Sequence, residues 1–342
     1  MSSTDQAPQL IVISERLGAL GEPEQRIVAA GGAVTSAPLW NRDDIEANGA
    51  EASILLVGAV EPFDAAALKA LPKCIGIVRR GVGYDNIDVD AATELGVLIA
   101  NVPDATVEDV SDHALALLLS TERHVPALHA AVRGGVWQRD PSGIAAIRKG
   151  MRRLGDLTLG IVGFGRIGRA LGRKAAGIYG TVLVADPLTT PEAAAELGFT
   201  LVPLSELLAR ADHVSLHAPL TDDTRHLLNA QTLACMKSDA LIVNTSRGAL
   251  VDEQALLSAL AAGRLGAASL DVTEKEPIPE GDPLLTAERV VLTGHSAATS
   301  VRADVVMRER AIDAVVALLS GQLPASVVNP SVLDAPAWRG WK

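Results

Sequence analysis

A strand-like run, Thr158-Leu159-Gly160-Ile161-Val162, leads straight into the turn Gly163-Phe164-Gly165-Arg166-Ile167-Gly168, and a helix-like stretch from Arg166 to Ala176 follows. This strand–turn–helix context severely limits what the chain can become. Gly163 permits a tight turn. Gly165 lets a ligand's pyrophosphate approach the backbone. Gly168 allows close packing of helix on strand, and the helix N-terminus offers amide N–H groups and a positive dipole end to phosphates. Asp186 ends the next apolar run, eighteen residues after Gly168. A carboxylate there accepts both hydroxyls of an adenosine ribose and repels a 2′-phosphate. Pro187-Leu188-Thr189-Thr190 behind it contains no Arg or Lys to hold such a phosphate. The expected cofactor is therefore NAD.

The turn belongs to a repeating pattern. Strands are expected at Thr158–Val162, Val182–Ala185, His213–Leu216, Ala240–Asn244, Ala268–Leu270 and Val290–Leu292, separated by helical segments. The first part of the chain repeats the alternation, with strands at 10–13, 54–57 and 75–78 and a helical stretch from Phe63 to Ala70. Apolar strands alternating with amphipathic helices imply α/β architecture, each parallel sheet being covered on both faces. A chain of 342 residues exceeds one compact core and divides into two such domains. A continuous helix is expected from about Val107 to Val132, capped by Asp104 or Thr106. Val301 to Leu319 is also helical, lies beyond the six-strand unit, and is expected to return to the first domain, making that domain discontinuous. An extended tail, Pro324–Pro330, follows it.

Composition excludes several functions. Hydrophobic residues make up 48% and charged residues 21%, which suits a folded globular protein rather than a disordered one. The net charge of −11 is opposite to that of a nonspecific nucleic-acid binder, and aromatics at 3% leave no stacking platform for bases. Arg148, Lys149, Arg152 and Arg153 form the one basic cluster, read as a solvated loop or a local anion site. Met1 to Pro8 is polar and lacks a signal-peptide pattern, and no apolar run reaches membrane-spanning length. Cys74 and Cys235 have no metal-ligand spacing; both are expected to be reduced and in or near the core, as in a cytoplasmic protein.

Three residues follow the turn at the ends of later strands. Arg247 comes after Ile242-Val243-Asn244-Thr245-Ser246, Glu276 after Leu270-Asp271-Val272, and His295 after Val290-Val291-Leu292-Thr293-Gly294. Open α/β sheets place ligands at the carboxyl ends of their strands. Hydride transfer to a carbonyl carbon leaves a developing alkoxide that needs a proton, and a 2-oxo acid also presents a carboxylate to be held. His295 is the candidate proton donor and acceptor. Glu276 is its candidate partner, orienting the ring and raising its pKa. Arg247 is the candidate clamp, since guanidinium pairs with carboxylates bidentately.

With these motifs the chain resembles the D-isomer-specific 2-hydroxyacid dehydrogenase family over nearly its whole length. The resemblance is carried by Gly81-Val82-Gly83-Tyr84-Asp85-Asn86-Ile87-Asp88, the turn Gly163–Gly168, His217-Ala218-Pro219-Leu220-Thr221, the segment from Asn244 to Glu253, Leu270-Asp271-Val272 with Glu276-Pro277, and His295. It implies a Rossmann-type NAD-binding domain, residues 103–298, inserted into a discontinuous flavodoxin-like substrate domain, residues 1–102 and 299–342. It implies Arg247, Glu276 and His295 as the catalytic set, and His217, Ala218, Pro219, Thr224, Thr245, Ser246 and Asp271 beside the cofactor with the glycine turn. Asp271 is expected near the nicotinamide carboxamide, and Val82 and Gly83 are expected to offer backbone N–H groups to the substrate carboxylate. Family members are usually homodimers joined through the cofactor domain, with the active site in the interdomain cleft.

Within the family the chain is most similar to the C-terminal binding protein-like and phosphoglycerate dehydrogenase-like branch, by Ile77-Val78-Arg79 and Asn101-Val102-Pro103. Arg79 is then expected to reach the substrate carboxylate. Gly294 stands where the family commonly has Pro, and Ala298 and Thr299 stand where the corepressors carry an aromatic wedge. The chain is expected to lack the regulatory extension of long phosphoglycerate dehydrogenases. Arg80 beside Arg79 suggests a second anionic group on the substrate, or else a surface arginine, and the basic cluster suggests a charged pocket rim. The expected activity is NAD-dependent interconversion of a small anionic 2-oxo acid and its D-2-hydroxy acid. The alternative is an NAD(H)-sensing scaffold that binds other proteins, as the corepressors do.

Overall fold

The computed structural model describes residues 9–341; the polar stretch Met1–Pro8 and Lys342 lie outside the described residues. The chain forms two units, one of the residues up to Thr106 together with those from Ser300, the other running Val107–Thr299.

The first unit holds a five-stranded parallel sheet of β1 (Gln9–Ser14), β2 (Gly32–Ala37), β3 (Ile54–Val57), β4 (Gly76–Arg79) and β5 (Leu98–Asn101), ordered β2-β1-β3-β4-β5. Side chains on a strand alternate between faces, and β1 divides accordingly. Ile11 and Ile13 enter one core with Ile54, Leu56 and Leu98, while Val12 enters the other with Leu55, Val57 and Ile99. The helix Val301–Leu319 packs on the first of these faces through Ala311, Ile312, Val315 and Leu318. It approaches closely, since a Cβ on Gly76 would lie 2.8 Å from Leu318 Cδ1. The expected helix at 63–70 is shorter, Ala65–Lys69, because the Asp64 carboxylate caps it by accepting from the Ala66 and Ala67 N–H groups.

The second unit holds a seven-stranded parallel sheet: β6 (Thr158–Val162), β7 (Thr181–Ala185), β8 (Thr200–Leu201), β9 (His213–Leu216), β10 (Leu241–Asn244), β11 (Ala267–Leu270) and β12 (Val290–Leu292), ordered β12-β11-β10-β9-β6-β7-β8. The direction of strand order reverses between β6 and β9, which opens a crevice at their carboxyl ends. Leucines of the helices Leu204–Arg210 and Glu253–Ala261 cover one face, and Ala114, Leu117, Leu118, Leu171 and Ala175 cover the other. No helix among the described residues is long and apolar enough to cross a membrane.

Several expectations need correction. Strands β2, β5 and β8 are additional. All three lie at sheet edges; β2 and β8 are partly exposed and show little of the apolar signature of a central strand, whereas Leu98-Ile99-Ala100 of β5 is a buried apolar run. The continuous helix expected over 107–132 is two helices, Val107–Glu122 and Val125–Arg133. His124 between them is left-handed, at φ 50, with its Nδ1–H donating to the Ile147 carbonyl at 2.6 Å. Thr106 is not the cap, because its hydroxyl is buried without a partner among the described residues, and Asp104 pairs with Arg310 instead. Cys74 is buried, with its thiol pushed up to about 12 by burial, but Cys235 is exposed.

The basic cluster is not uniformly solvated. Arg152 donates to Glu122 Oε2 at 2.8 Å and to Asp239 Oδ2 at 2.9 Å. His213 Nε2 donates to the same Glu122 oxygen at 2.9 Å, and the Tyr179 hydroxyl donates to His213 Nδ1 at 2.7 Å. Burial alone would raise the Glu122 carboxyl, but the hydrogen bonds from His213 and Arg152 outweigh it and hold the group at about 2. Arg152 thus ties the segment before β6 into the core rather than lining a substrate rim.

Candidate active site

The glycine turn has the geometry a bound pyrophosphate needs. Gly163 sits at φ +88, a conformation that disfavours a side chain, and a Cβ there would lie 2.6 Å from the Ala218 nitrogen. A Cβ on Gly168 would lie 2.2 Å from the Gly163 carbonyl oxygen, so the helix Arg166–Ala175 meets its strand with no room for a methyl group. Gly165 differs. Its φ is −73, and a Cβ built on it would meet nothing within 4 Å. No contact among the described residues demands glycine at this position, and the space beside it is open to a ligand.

Asp186 follows the end of β7. Its Oδ2 accepts from the Phe164 N–H at 2.6 Å and its Oδ1 from the Leu188 N–H at 2.7 Å. The carboxylate therefore fixes the turn and faces a cavity of about 810 Å³ lined by Gly163, Asp186, Val202, Pro203, Ala218 and Thr224. Thr224 contributes shape rather than a free hydroxyl, since its Oγ1 donates to the Pro219 carbonyl at 2.7 Å. At the ends of β9 and β10, His217 Nδ1 and Thr245 Oγ1 are buried with no partner among the described residues. Burial pushes His217 down to about 4, so its ring is neutral at physiological pH. The open space at Gly165, the carboxylate at Asp186 and these two orphaned polar atoms suit a dinucleotide laid across the strand ends.

The three candidate chemical residues converge in the same unit. His295 Nδ1 and Glu276 Oε2 are 2.6 Å apart. The second Glu276 oxygen accepts from the Thr273 N–H at 3.0 Å. Hydrogen bonding to Glu276 raises the His295 pKa, against the opposing effects of burial and the Arg247 charge. Burial pushes Glu276 upward, but His295, the Thr273 N–H and Arg247 together hold it below its ordinary value. Arg247 is placed by its own loop. Asn244 Nδ2 donates to the Arg247 carbonyl at 2.8 Å, Asn244 Oδ1 accepts from the Ser246 N–H at 3.0 Å, and Ser246 Oγ donates to the Leu216 carbonyl at 2.8 Å. Gly248 lets this loop touch the Glu276-bearing segment, since a Cβ there would fall 2.0 Å from the Thr273 carbonyl oxygen.

Asp271, 2% exposed, does structural work around His295. Its Oδ1 accepts from Thr293 Oγ1 at 2.6 Å and from the Ser296 N–H at 2.8 Å, and its Oδ2 accepts from the Ala297 N–H at 2.9 Å. Its carbonyl accepts the His295 N–H at 2.5 Å. His295 itself has φ 56, a left-handed conformation that costs a non-glycine residue roughly 1–2 kcal/mol. Sequence reasoning missed Asn244, Gly248, Thr293 and His113 as parts of this arrangement. Only Asn244 and Gly248 lay inside a motif that pointed to them.

In the first unit, Gly81 (φ +146) lets the Arg79 side chain fold over it, since a Cβ there would lie 1.4 Å from Arg79 Nη1. Arg79 Nη1 donates to the Arg80 carbonyl at 3.0 Å. Val82 is held by Asn101, whose Nδ2 donates to the Val82 carbonyl at 2.7 Å. Gly83 is next in the same loop. Arg80 is engaged by Asp304, at 3.1 Å, and by the Leu17 carbonyl.

Residues 115–297 match the family described as D-isomer specific 2-hydroxyacid dehydrogenase, NAD binding domain. The chain belongs to the D-isomer specific 2-hydroxyacid dehydrogenase family. It is 41% identical over 277 residues to a glyoxylate reductase of Korarchaeum cryptofilum, covering 80% of this chain and 81% of that one. It is 40% identical over 290 residues to a D-3-phosphoglycerate dehydrogenase of Mycobacterium tuberculosis, covering 84% of this chain but 53% of that one, so it spans about half the length of that relative. Among solved structures, a glyoxylate reductase from Paecilomyes thermophila superposes with a TM-score of 0.83 at 29% identity, covering 94% of this chain and 99% of that one. As a 2-hydroxyacid dehydrogenase the chain is an NAD-dependent oxidoreductase, and its second unit is the NAD-binding domain of the family.

Proposed function

We propose that this dehydrogenase reduces a small 2-oxo acid to its D-2-hydroxy acid, with His295 as the proton-transfer residue, Glu276 as its partner and Arg247 as the clamp on the carboxylate and carbonyl. The observation that carries the reading is the 2.6 Å bond between His295 Nδ1 and Glu276 Oε2. A carboxylate only accepts, so His295 keeps its Nδ1 proton in both charge states. Proton exchange is thereby confined to Nε2. In the reductive direction Nε2–H donates to the carbonyl oxygen as negative charge develops there. In the oxidative direction the neutral Nε2 removes the hydroxyl proton. NAD(H), when bound, supplies or accepts the hydride. The open side of Gly165 and the amides of the helix Arg166–Ala175 would hold its pyrophosphate, with Arg166 and Ile167 in the first turn, and Asp186 its adenosine ribose. His217, Ala218, Pro219, Thr224, Thr245 and Ser246 would line the rest. Asp186 favours NAD over NADP, because a 2′-phosphate would face a carboxylate already fixed by two backbone N–H groups.

Arg79 and the backbone of Val82 and Gly83 are proposed for the substrate carboxylate. The preference for a second anionic group loses its main support. Arg80 already pairs with Asp304 and Arg152 with Glu122, so an incoming anion would have to displace a carboxylate from either. The reading supported best is a small monocarboxylate such as glyoxylate or hydroxypyruvate, the first in keeping with the glyoxylate reductases among its relatives. The test is NADH oxidation against glyoxylate, hydroxypyruvate, pyruvate, oxaloacetate, phosphonopyruvate and sulfopyruvate. Preferential turnover of the small monocarboxylates supports the assignment; strong preference for phosphonopyruvate or sulfopyruvate overturns it.

We also infer a homodimer. The helices Val125–Arg133, Val136–Arg139 and Pro141–Arg148 leave Val125, Val132 and Trp137 exposed. Such apolar exposure on a folded domain suits a self-complementary interface between two copies. Light scattering of the purified chain at a single protomer mass would overturn this.

A further inference from the structure

The helix Val107–Glu122 brings a residue with no assigned role to the loop that carries His295. His113 Nε2 lies 3.0 Å from Thr293 Oγ1 and 3.5 Å from Asp271 Oδ1. We propose that His113 is a positioning residue for His295, acting through Thr293 and Asp271; this rests on the reading of His295 as the proton-transfer residue.

The direction of each hydrogen bond follows from counting protons. The Asp271 carboxylate offers only lone pairs, so the single hydroxyl proton of Thr293 is committed to it at 2.6 Å. Thr293 Oγ1 then has only lone pairs left for His113. The His113 nitrogen facing it must therefore be a donor, and the ring carries its proton on Nε2. The chain runs one way: His113 donates to Thr293, and Thr293 donates to Asp271. Asp271 in turn receives the Ser296 and Ala297 N–H groups through its carboxylate and the His295 N–H through its carbonyl. Every residue from Thr293 to Ala297 except Gly294 is thus bonded to Asp271, on both sides of a histidine held at φ 56. A left-handed histidine persists only where its surroundings over-determine it. His113 is the contribution to that restraint from outside the strand ends.

The test uses the full-length chain and two variants. His113→Leu removes the donor, and His113→Gln places an amide N–H where Nε2–H stood. The first readout is the histidine ring 15N–1H spectrum of the labelled protein, with the His295 signals assigned by their loss in His295→Asn. The second is kcat with NADH and glyoxylate. Expected are displaced His295 ring signals and a kcat reduced about tenfold in His113→Leu, since small misplacement of a reacting group is costly. The KM for NADH should stay within about twofold, and His113→Gln should restore both readouts. Unmoved His295 signals in His113→Leu would overturn the proposal, as would equal impairment of the Leu and Gln variants. Native turnover by His295→Asn would instead remove the proton-transfer reading, and the ring spectrum would still report whether His113 positions His295.

Discussion

His295 and Glu276 share a 2.6 Å hydrogen bond although nineteen residues separate them, and the bond is what raises the imidazole pKa. Reduction needs the imidazolium. The reductive kcat should therefore persist above the ordinary histidine pKa of 6.5 and fall as pH rises through the raised value, while the oxidative rate climbs over the same range. Glu276→Gln should bring both limbs down in pH. An unchanged profile in that variant would remove the role of Glu276. Stability follows the same signs. The raised His295 contributes stability below its unfolded pKa, lost as pH rises through the folded one. The lowered Glu276 contributes above 4.5, lost as pH falls through its folded value.

Arg247 and His295 should separate kinetically. His295→Ala removes proton transfer, so kcat should drop by roughly 10²–10⁴-fold with little change in KM. Arg247→Ala also removes ground-state binding of the carboxylate, so kcat should fall and KM should rise. Steady-state kinetics with glyoxylate decide between this division of labour and an undifferentiated loss.

Two glycines of one turn should behave oppositely. Gly168→Ala places a methyl group against the Gly163 carbonyl, where no space exists, and should lower the melting temperature. Gly165→Ala meets no protein atom within 4 Å. It should melt with the native protein yet bind NADH about tenfold more weakly, or about 1.4 kcal/mol. Thermal denaturation and NADH titration of both variants test this pair, and native affinity in Gly165→Ala would contradict pyrophosphate approach at that point.

Asp186→Ala should weaken NAD binding and reduce discrimination against NADP. Comparison of kcat/KM for NADH and NADPH measures this directly. An unchanged cofactor preference would leave Asp186 only its structural bonds to Phe164 and Leu188.

The buried Glu122 cluster should matter for stability rather than chemistry. Removing the carboxylate leaves the buried His213 Nε2–H without its acceptor and takes one of three carboxylates from Arg152, and Glu122→Ala should cost roughly 3 kcal/mol in urea denaturation at pH 7. Because the Glu122 pKa is lowered from 4.5 to about 2, this contribution is present above 4.5 and is lost as pH falls toward 2. The deficit of the variant should shrink over that interval; a constant deficit would mean that packing alone is at stake.

Much of the fold was legible because its signals are local. The apolar runs of β6, β9 and β12 have in the structure the limits read from the chain, and the helix Val301–Leu319 likewise. Central strands must be apolar on both faces, and a helix repeats its apolar positions along one side. The edge strands β2 and β8 are partly exposed and obey neither demand as strictly, while β5 and β12, also at sheet edges, are carried by short apolar runs. The break at His124 did have a local signal, Pro126, which has no N–H to continue the first helix and stands in the first turn of the second; the bond from the His124 ring to the distant Ile147 carbonyl had none. Arg80, Arg152 and Cys235 show the same limit. A guanidinium has the same composition in solvent and in an ion pair, and only its neighbours distinguish the two.

For the site itself, the order of glycines, Asp186, Arg247, Glu276 and His295 along the chain determined which chemistry to consider, since each type follows a strand end at recognisable spacing. Only the tertiary structure decided the pairing of His295 with Glu276, the commitment of Asp271 to the His295 loop, and the arrival of His113 beside Thr293. These depend on proton donors and acceptors meeting within 3 Å across elements far apart in sequence. Strand order and helix packing set those distances, and local residue patterns do not encode them.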